Sequence, residues 1–297
     1  MNGPFSRYLA DPLKNRLRSV MDHQIPVQLP ANKLSPFRLK WNAVRLKRTR
    51  SELPVNLGRI VVNKLDTLHH YYVLALIRAM QAPEAKREKT IADTLRSYME
   101  QVTIANSAQR LGLIAGEVPL LDQAPPWVIV YPWQNIPVDE AIRLKNRETL
   151  DENQRDGVDL DAWQGGASYP LASEVKLESE AKKMLELLTS IRKSGYQINE
   201  DPQNGIGAKL LVNESADVVW CISGGFHRCC VLAALGYRNV PATVSAIIHR
   251  KQVRKWPLVK TGLFSEKTAL KLFDNIFHGR GFAEHNQWME ETLSGAI

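Results

Sequence analysis

Six consecutive residues, Ser223-Gly224-Gly225-Phe226-His227-Arg228, combine the backbone freedom and the side chains that anion chemistry requires. A β-type apolar run, Val218-Val219-Trp220-Cys221-Ile222, leads into them, and an Ala/Leu-rich stretch that Gly236 stops leads out. A strand would thus end in two glycines and a helix begin at once. Glycine permits positive φ and close backbone approach. The first turn of a helix exposes unpaired N–H groups and the positive end of the dipole, a ready anion site. His227 and Arg228 fall in that first turn, where cations oppose the dipole, so an anionic guest is a natural explanation for them. A guanidinium grips phosphate oxygens in pairs, and an imidazole donates or titrates. The competing reading is a tight turn with Arg228 paired to a nearby carboxylate. The segment is neither a Walker loop nor a GxGxxG fingerprint.

Other reactive side chains carry weaker patterns. Cys221, Cys229 and Cys230 are too few for a disulfide framework, and no CxxC pair is present, so they read as small buried residues rather than metal ligands. His69-His70 reads as a packing or surface pair. Asp151, Glu152, Asp156, Asp159 and Asp161 lack the glycine and terminal glutamate of a calcium loop and read as solvated, with Mg²⁺ binding beside a nucleotide as the alternative. Arg250, Lys251, Arg254 and Lys255 form a basic cluster that either faces the same anion as Arg228 or is solvated.

The elements that must position these residues follow from periodicity. Leu65, Leu68, Tyr72, Leu76 and Met80 predict a helix over 64–80, and Ile91, Leu95, Tyr98, Met99 and Val102 predict a second over 84–111, ended by Gly112 and Gly116. Trp127-Val128-Ile129-Val130-Tyr131, between prolines, predicts a short strand. Residues 137–150 are helix-compatible, and 151–170 read as a loop. A clear helix runs from Ser173 to Ser194 and stops at Gly195. Leu210 to Val212, Asp217 to Ile222 and Val240 to Ile248 predict strands, and 265–277 predicts a last amphipathic helix.

Composition sets the frame. The chain has 297 residues, 44% hydrophobic and 24% charged, with a net charge of +8. No apolar run approaches a membrane span, and the first residues lack the apolar core of a secretory signal, which implies a soluble protein of the cytoplasm. The charge is uneven: residues 1–60 hold twelve Lys/Arg and three acids, a balance of +9, which leaves −1 for the rest. This divides the chain into a basic, Pro-rich arm (1–60), a helical hairpin (61–120), a core (121–255) and a helical extension (256–297). Such an arm attracts polyanions, with Phe37 and Trp41 near enough to stack on bases; a solvated extension that aids solubility or packs along the body is the plainer reading.

The run Ile-Ser-Gly-Gly-Phe-His-Arg, the helix after it and the Leu-Gly-Tyr-x-x-Val-Pro passage at 235–241 resemble the phosphate-binding segment of the ParB/sulfiredoxin superfamily. Leu188-x-x-Ser190-Ile191-x-x-x-Gly195 is similar to a helix end in the same domains, and the tail from Trp256 resembles that of bacterial proteins with this core. The likeness covers about 125–250. It implies an α/β (or α+β) fold with a small mixed sheet, and a nucleotide site at Ser223, Gly224, Gly225, Phe226, His227 and Arg228. Phe226 stands where sulfiredoxin has its catalytic cysteine, so that activity is disfavoured. No helix-turn-helix follows residue 250, so plasmid partition is disfavoured too. Relatives that phosphorylate small molecules use a carboxylate near the first strand, for which Asp139 and Glu140 are the positional candidates; helix N-terminal carboxylates are the plainer reading. The expected function is nucleotide binding, extending to a phosphotransferase or NTPase. It would use a nucleoside tri- or diphosphate with Mg²⁺ and an unknown acceptor, with His227, Arg228 and Glu140 in the chemistry. The alternative is a non-catalytic module that binds nucleic acid or a partner through residues 1–60.

Overall fold

Residues 49–66, 69–164, 173–198 and 205–294 are described by the computed structural model of the protein. They form a mixed α/β structure around one six-stranded sheet. Its strands are β1 (Thr49–Pro54), β2 (Gly58–Ile60), β3 (Asn63–Lys64), β4 (Gly207–Val212), β5 (Val218–Gly224) and β6 (Asn239–His249), in the order β1-β6-β4-β5-β2-β3. β6–β4 and β5–β2 pair in parallel; the other neighbours are antiparallel. The principal helices are α1 (Tyr71–Gln81), α2 (Arg87–Gln101), α3 (Val138–Arg155), α4 (Glu174–Ser194), α5 (Phe226–Ala234), α6 (Glu266–His278) and α7 (Ala283–Ser294). One continuous apolar cluster joins them, from Leu53 on β1 through Trp220 on β5 to Met289 on α7.

The best-patterned segments fold as their sequence predicts. Ser173 caps α4 by accepting from the Lys176 amide, Gly195 ends the helix at φ 70°, and Leu177, Ala181, Met184, Leu188 and Ile191 line its buried face. β5, α5 and β6 fall within two residues of the predicted bounds.

Elsewhere tertiary contacts override local pattern. The helix expected from Lys64 begins at Tyr71, because residues 58–64 form the β2–β3 hairpin. Leu65 packs on Gly58 and Trp220 instead: a Cβ on Gly58 would lie 2.9 Å from atoms of both. The helix expected to reach Leu111 stops at Gln101, and a new turn, Ser107–Arg110, starts at Asn106, whose side chain accepts from the Gln109 amide at 2.9 Å. Residues 127–131 form no strand. Prolines 125, 126 and 132 remove ladder donors, and side chains take the carbonyls: Arg110 donates to Pro126 O at 2.8 Å and Ser107 to Val128 O at 2.6 Å. Residues 151–155 extend α3 rather than open a loop, because their acidic face pairs with lysines of α4.

The boundary drawn at residue 60 falls inside the sheet. β1 pairs with β6 and β2 with β5, while residues 1–48, which hold most of the basic arm with Phe37 and Trp41, lie outside the described residues. Arg59, counted by sequence among the arm's charges, is buried on β2. Its guanidinium donates to Ile276 O (3.1 Å), Phe277 O (2.9 Å) and Gly58 O (2.9 Å), satisfying the carbonyl end of α6. Among the described residues no helix is long and apolar enough to cross a membrane.

Replacing Arg59 by Met should strand these carbonyls in an apolar setting and cost about 3 kcal/mol of stability. Denaturant unfolding would show this as a lower midpoint at unchanged slope.

Candidate functional site

β5 carries the chain to Gly224, and α5 starts at Phe226. Gly225 between them is left-handed, at φ 74° and ψ 33°. A Cβ there would lie 3.0 Å from Ile206 Cγ1 and 3.1 Å from the Gly205 carbonyl oxygen, so dihedral and space both select glycine. No side chain caps α5; the Cys229 amide bonds Gly225 O at 3.0 Å, and the amides before it form the open end of the helix.

This turn lies on a cavity of about 530 Å³, a usual size for a small-molecule site. Ser223, Gly224, Gly225 and Phe226 form one wall. Val61 and Asn63 join it from the β2–β3 corner, and His70 and Tyr71 from the start of α1. Arg110 and Trp127 add a cation and an indole, while Lys145 and Glu148 reach it from α3. The wall made by Trp127 is anchored, since its Nε1 donates to Asn146 Oδ1 on α3 at 3.2 Å. Val61 has φ 55°, at a hairpin position where glycine is usual; a β-branched residue there stores strain beside the cavity.

The cavity's aromatic lining is rigid. Tyr71 stacks on Tyr98 with centroids 3.6 Å apart, and His70 lies 4.9 Å from Tyr71 and 5.6 Å from Phe226. His70 is 2% exposed, and its Nδ1 has no hydrogen-bond partner among the described residues. Burial, with His285 and Arg110 nearby, holds its pKa well below the usual imidazole range, so it is neutral at pH 7. Behind Tyr98, His285 bonds the tyrosine hydroxyl through Nδ1 and the His69 carbonyl through Nε2, both at 3.0 Å. The carbonyl requires a proton on Nε2, so Nδ1 accepts. Burial pushes His285 down to about 4.

The structure divides the residues that sequence grouped together. Ser223 to Phe226 line the cavity; His227, Arg228 and Glu140 do not. His227 turns toward α4, its Nε2 2.9 Å from Glu180 Oε2 in an ion-pair contact. Around Glu180, which is 1% exposed, Lys183 Nζ lies at 2.6 Å and the fully buried Lys176 Nζ at 3.4 Å. The same two lysines reach Glu152 and Asp156 of the α3 end. Burial raises the pKa of Glu180, but His227 and Lys183 outweigh it and bring the group down to about 2. Three carboxylates thus face two ammoniums and one imidazole. Oxygens of Glu152, Asp156 and Glu180 lie within 4.8 Å of one another, a spacing a cation could use, but the lysines already supply positive charge there. Arg228 is half-buried with no ion-pair partner among the described residues. Glu140 pairs with Arg143 at 2.5 Å in the first turn of α3, beside Asp139, as helix N-terminal carboxylates do.

Cys221, Cys229 and Cys230 are buried, as their size suggested. The basic cluster at 250–255 is partly paired, Arg250 with Asp274 and Glu214 and Arg254 with Glu266. Sequence reasoning did not find Arg110, Lys145 or the role of His70. The one signal was Arg110 itself, a cation in the run Ala108-Gln109-Arg110-Leu111. No protein-family model, curated protein or solved structure matches the chain.

Gly225→Ala should cost about 2 kcal/mol through its left-handed φ and two close contacts. Gly224→Ala, whose Cβ would meet only Gly207 N at 3.8 Å, should stay within about 0.5 kcal/mol of wild type, and denaturant melts of the two variants check the pair.

The histidines set a pH dependence. A folded pKa of about 4 for His285, against 6.5 unfolded, means that the unfolded chain binds more protons between those values. Stability should therefore be full above pH 6.5 and fall toward pH 4, by on the order of 3 kcal/mol for His285. His70 acts in the same direction. Unfolding free energies measured from pH 8 to 4 should show this slope, and His285→Gln should flatten it.

Proposed function

We propose that the protein binds a nucleotide-like ligand, an anion joined to a flat ring, in the cavity at Gly224-Gly225. The observation that carries this reading is the uncapped end of α5 opening onto that cavity. The open amides and the helix dipole suit a phosphate, and Lys145, which pairs with Glu148 at 3.1 Å, adds a positive group from α3. Trp127 and Phe226 offer ring surface for the base. Neutral His70 offers an otherwise unpartnered nitrogen to a donor or acceptor on the ligand.

A phosphotransferase or NTPase is the extension of this reading that the ParB/sulfiredoxin likeness suggests. In it, His227, Arg228 and Glu140 lose the roles sequence gave them, because none lines the cavity. Charge stabilisation would fall to the α5 amides and Lys145. Glu148 is the carboxylate on the cavity wall among the described residues, and Mg²⁺ would arrive with the nucleotide. The alternative role for residues 1–60 loses Arg59, which is committed to α6.

Thermal unfolding with AMP, ADP and ATP, with and without Mg²⁺, tests the reading. At about 100 times Kd a ligand should stabilise the fold by roughly 2.7 kcal/mol. Lys145→Met and Gly224→Ala should remove most of that gain, and Arg228→Ala should leave it. The absence of a shift with every nucleotide, or a shift lost in Arg228→Ala but kept in Lys145→Met, overturns the proposal.

A further inference from the structure

A second cavity, of about 500 Å³, lies over the middle of the sheet. Its floor is Lys209 of β4 with Ala246 and Ile248 of β6, and its walls include Trp133 and Trp256. In register, Lys209 faces Ala246 on one side and Cys221 on the other, so its stem rises from the centre of the sheet. Lys209 is half-buried, has no ion-pair partner among the described residues, and shares its cavity with no lining carboxylate among them. A half-buried ammonium over an apolar floor, with no carboxylate lining its cavity among the described residues, is a charge that an anion can complete.

The rings beside it are held firmly. Trp133 stacks on Tyr131 at 5.1 Å and 8°, and meets Trp256 edge-on at 5.3 Å, while Trp256 stacks on Phe273 of α6. Trp256 is buried and Trp133 half-buried, so Trp133 presents indole surface to the cavity. Gln134 and Ile136 line both this cavity and the one at Gly225. The Gln134 side chain is fixed by accepting from the Tyr131 amide at 2.7 Å.

We propose that this second cavity binds a planar organic anion, an aromatic ring carrying a carboxylate or phosphate, with the ring against Trp133 and the anionic group on Lys209. The occupants of the two cavities would be neighbours across Gln134, the arrangement a two-ligand reaction requires. The proposal stands on Lys209 and the tryptophans, and does not depend on what fills the first cavity.

The test is equilibrium titration followed by tryptophan fluorescence, with phenyl phosphate and benzoate as probes. Benzyl alcohol serves as the uncharged ring and inorganic phosphate as the anion without a ring. Phenyl phosphate or benzoate should quench emission saturably, with the two controls roughly tenfold weaker or more. Lys209→Met should weaken the anionic probe at this site by roughly tenfold or more, and Lys145→Met should leave that Lys209-dependent binding in place even where it removes a separate phase from the first cavity. Lys209→Gln replaces the methionine variant if that variant fails to keep the wild-type melting midpoint. Equal binding by the Lys209 variant and wild type overturns the proposal, as does equal binding of benzyl alcohol. Loss of binding in Lys145→Met with retention in Lys209→Met places the probe in the first cavity, which also overturns it while leaving the nucleotide reading intact.

Discussion

At Gly225 the chain passes from strand to helix in one residue, wedged against Ile206 and the Gly205 carbonyl, and only a left-handed glycine fits. That constraint sets where α5 begins, and therefore where its unpaired amides open. It also sets the rotation of the helix, sending Phe226 into the cavity while His227, its ring 5.1 Å from Phe226, reaches Glu180. A longer connection would leave both choices loose. The turn makes the helix end part of the sheet's own geometry.

The ion cluster behind α5 serves the same placement. Fully buried Lys176 would be unfavourable alone. It is held by Asn153 and by carboxylates from two helices, and His227 closes the group from a third. Charges of alternating sign thus tie α3, α4 and α5 together at a fixed distance. The two aspects of α5 divide the work: the cavity side leaves polar groups open, and the cluster side sets charges of opposite sign against one another.

What the sequence made legible was what local chemistry decides. Ser173 and Gly195 announce the ends of α4, and the glycine pair announces the β5–α5 junction. What stayed hidden depends on partners far along the chain. Arg59 reads as one charge of a basic arm until α6 is seen ending over it. Trp127 to Tyr131 has strand composition, yet Ser107 takes the Val128 carbonyl and Arg110 that of Pro126 just before the run. Glu152 and Asp156 read as a solvated loop until Lys176 and Lys183 approach from α4. His227 and Arg228 have the residue types of a phosphate clamp, but helical rotation decides which side of α5 they occupy. Type and spacing located the turn; three-dimensional neighbours decided which of its side chains face the cavity.

The strand order carries a consequence for how the chain is made. β1 and β2 lie early in the sequence, yet their sheet partners are β6 and β5. Pro54 meets the Trp220 indole across 166 positions, and Arg59 reaches Phe277 across 218. A ribosome adding about 5–20 residues per second needs on the order of ten seconds or more to cover such distances. Throughout that interval β1 lacks β6 and β2 lacks β5, so although β2 pairs with β3 and Tyr71 with Tyr98, the growing polypeptide presents unsatisfied strand edges to its surroundings. Holdase chaperones that shield emerging segments, or rapid synthesis of the last third, would shorten the exposure of these edges.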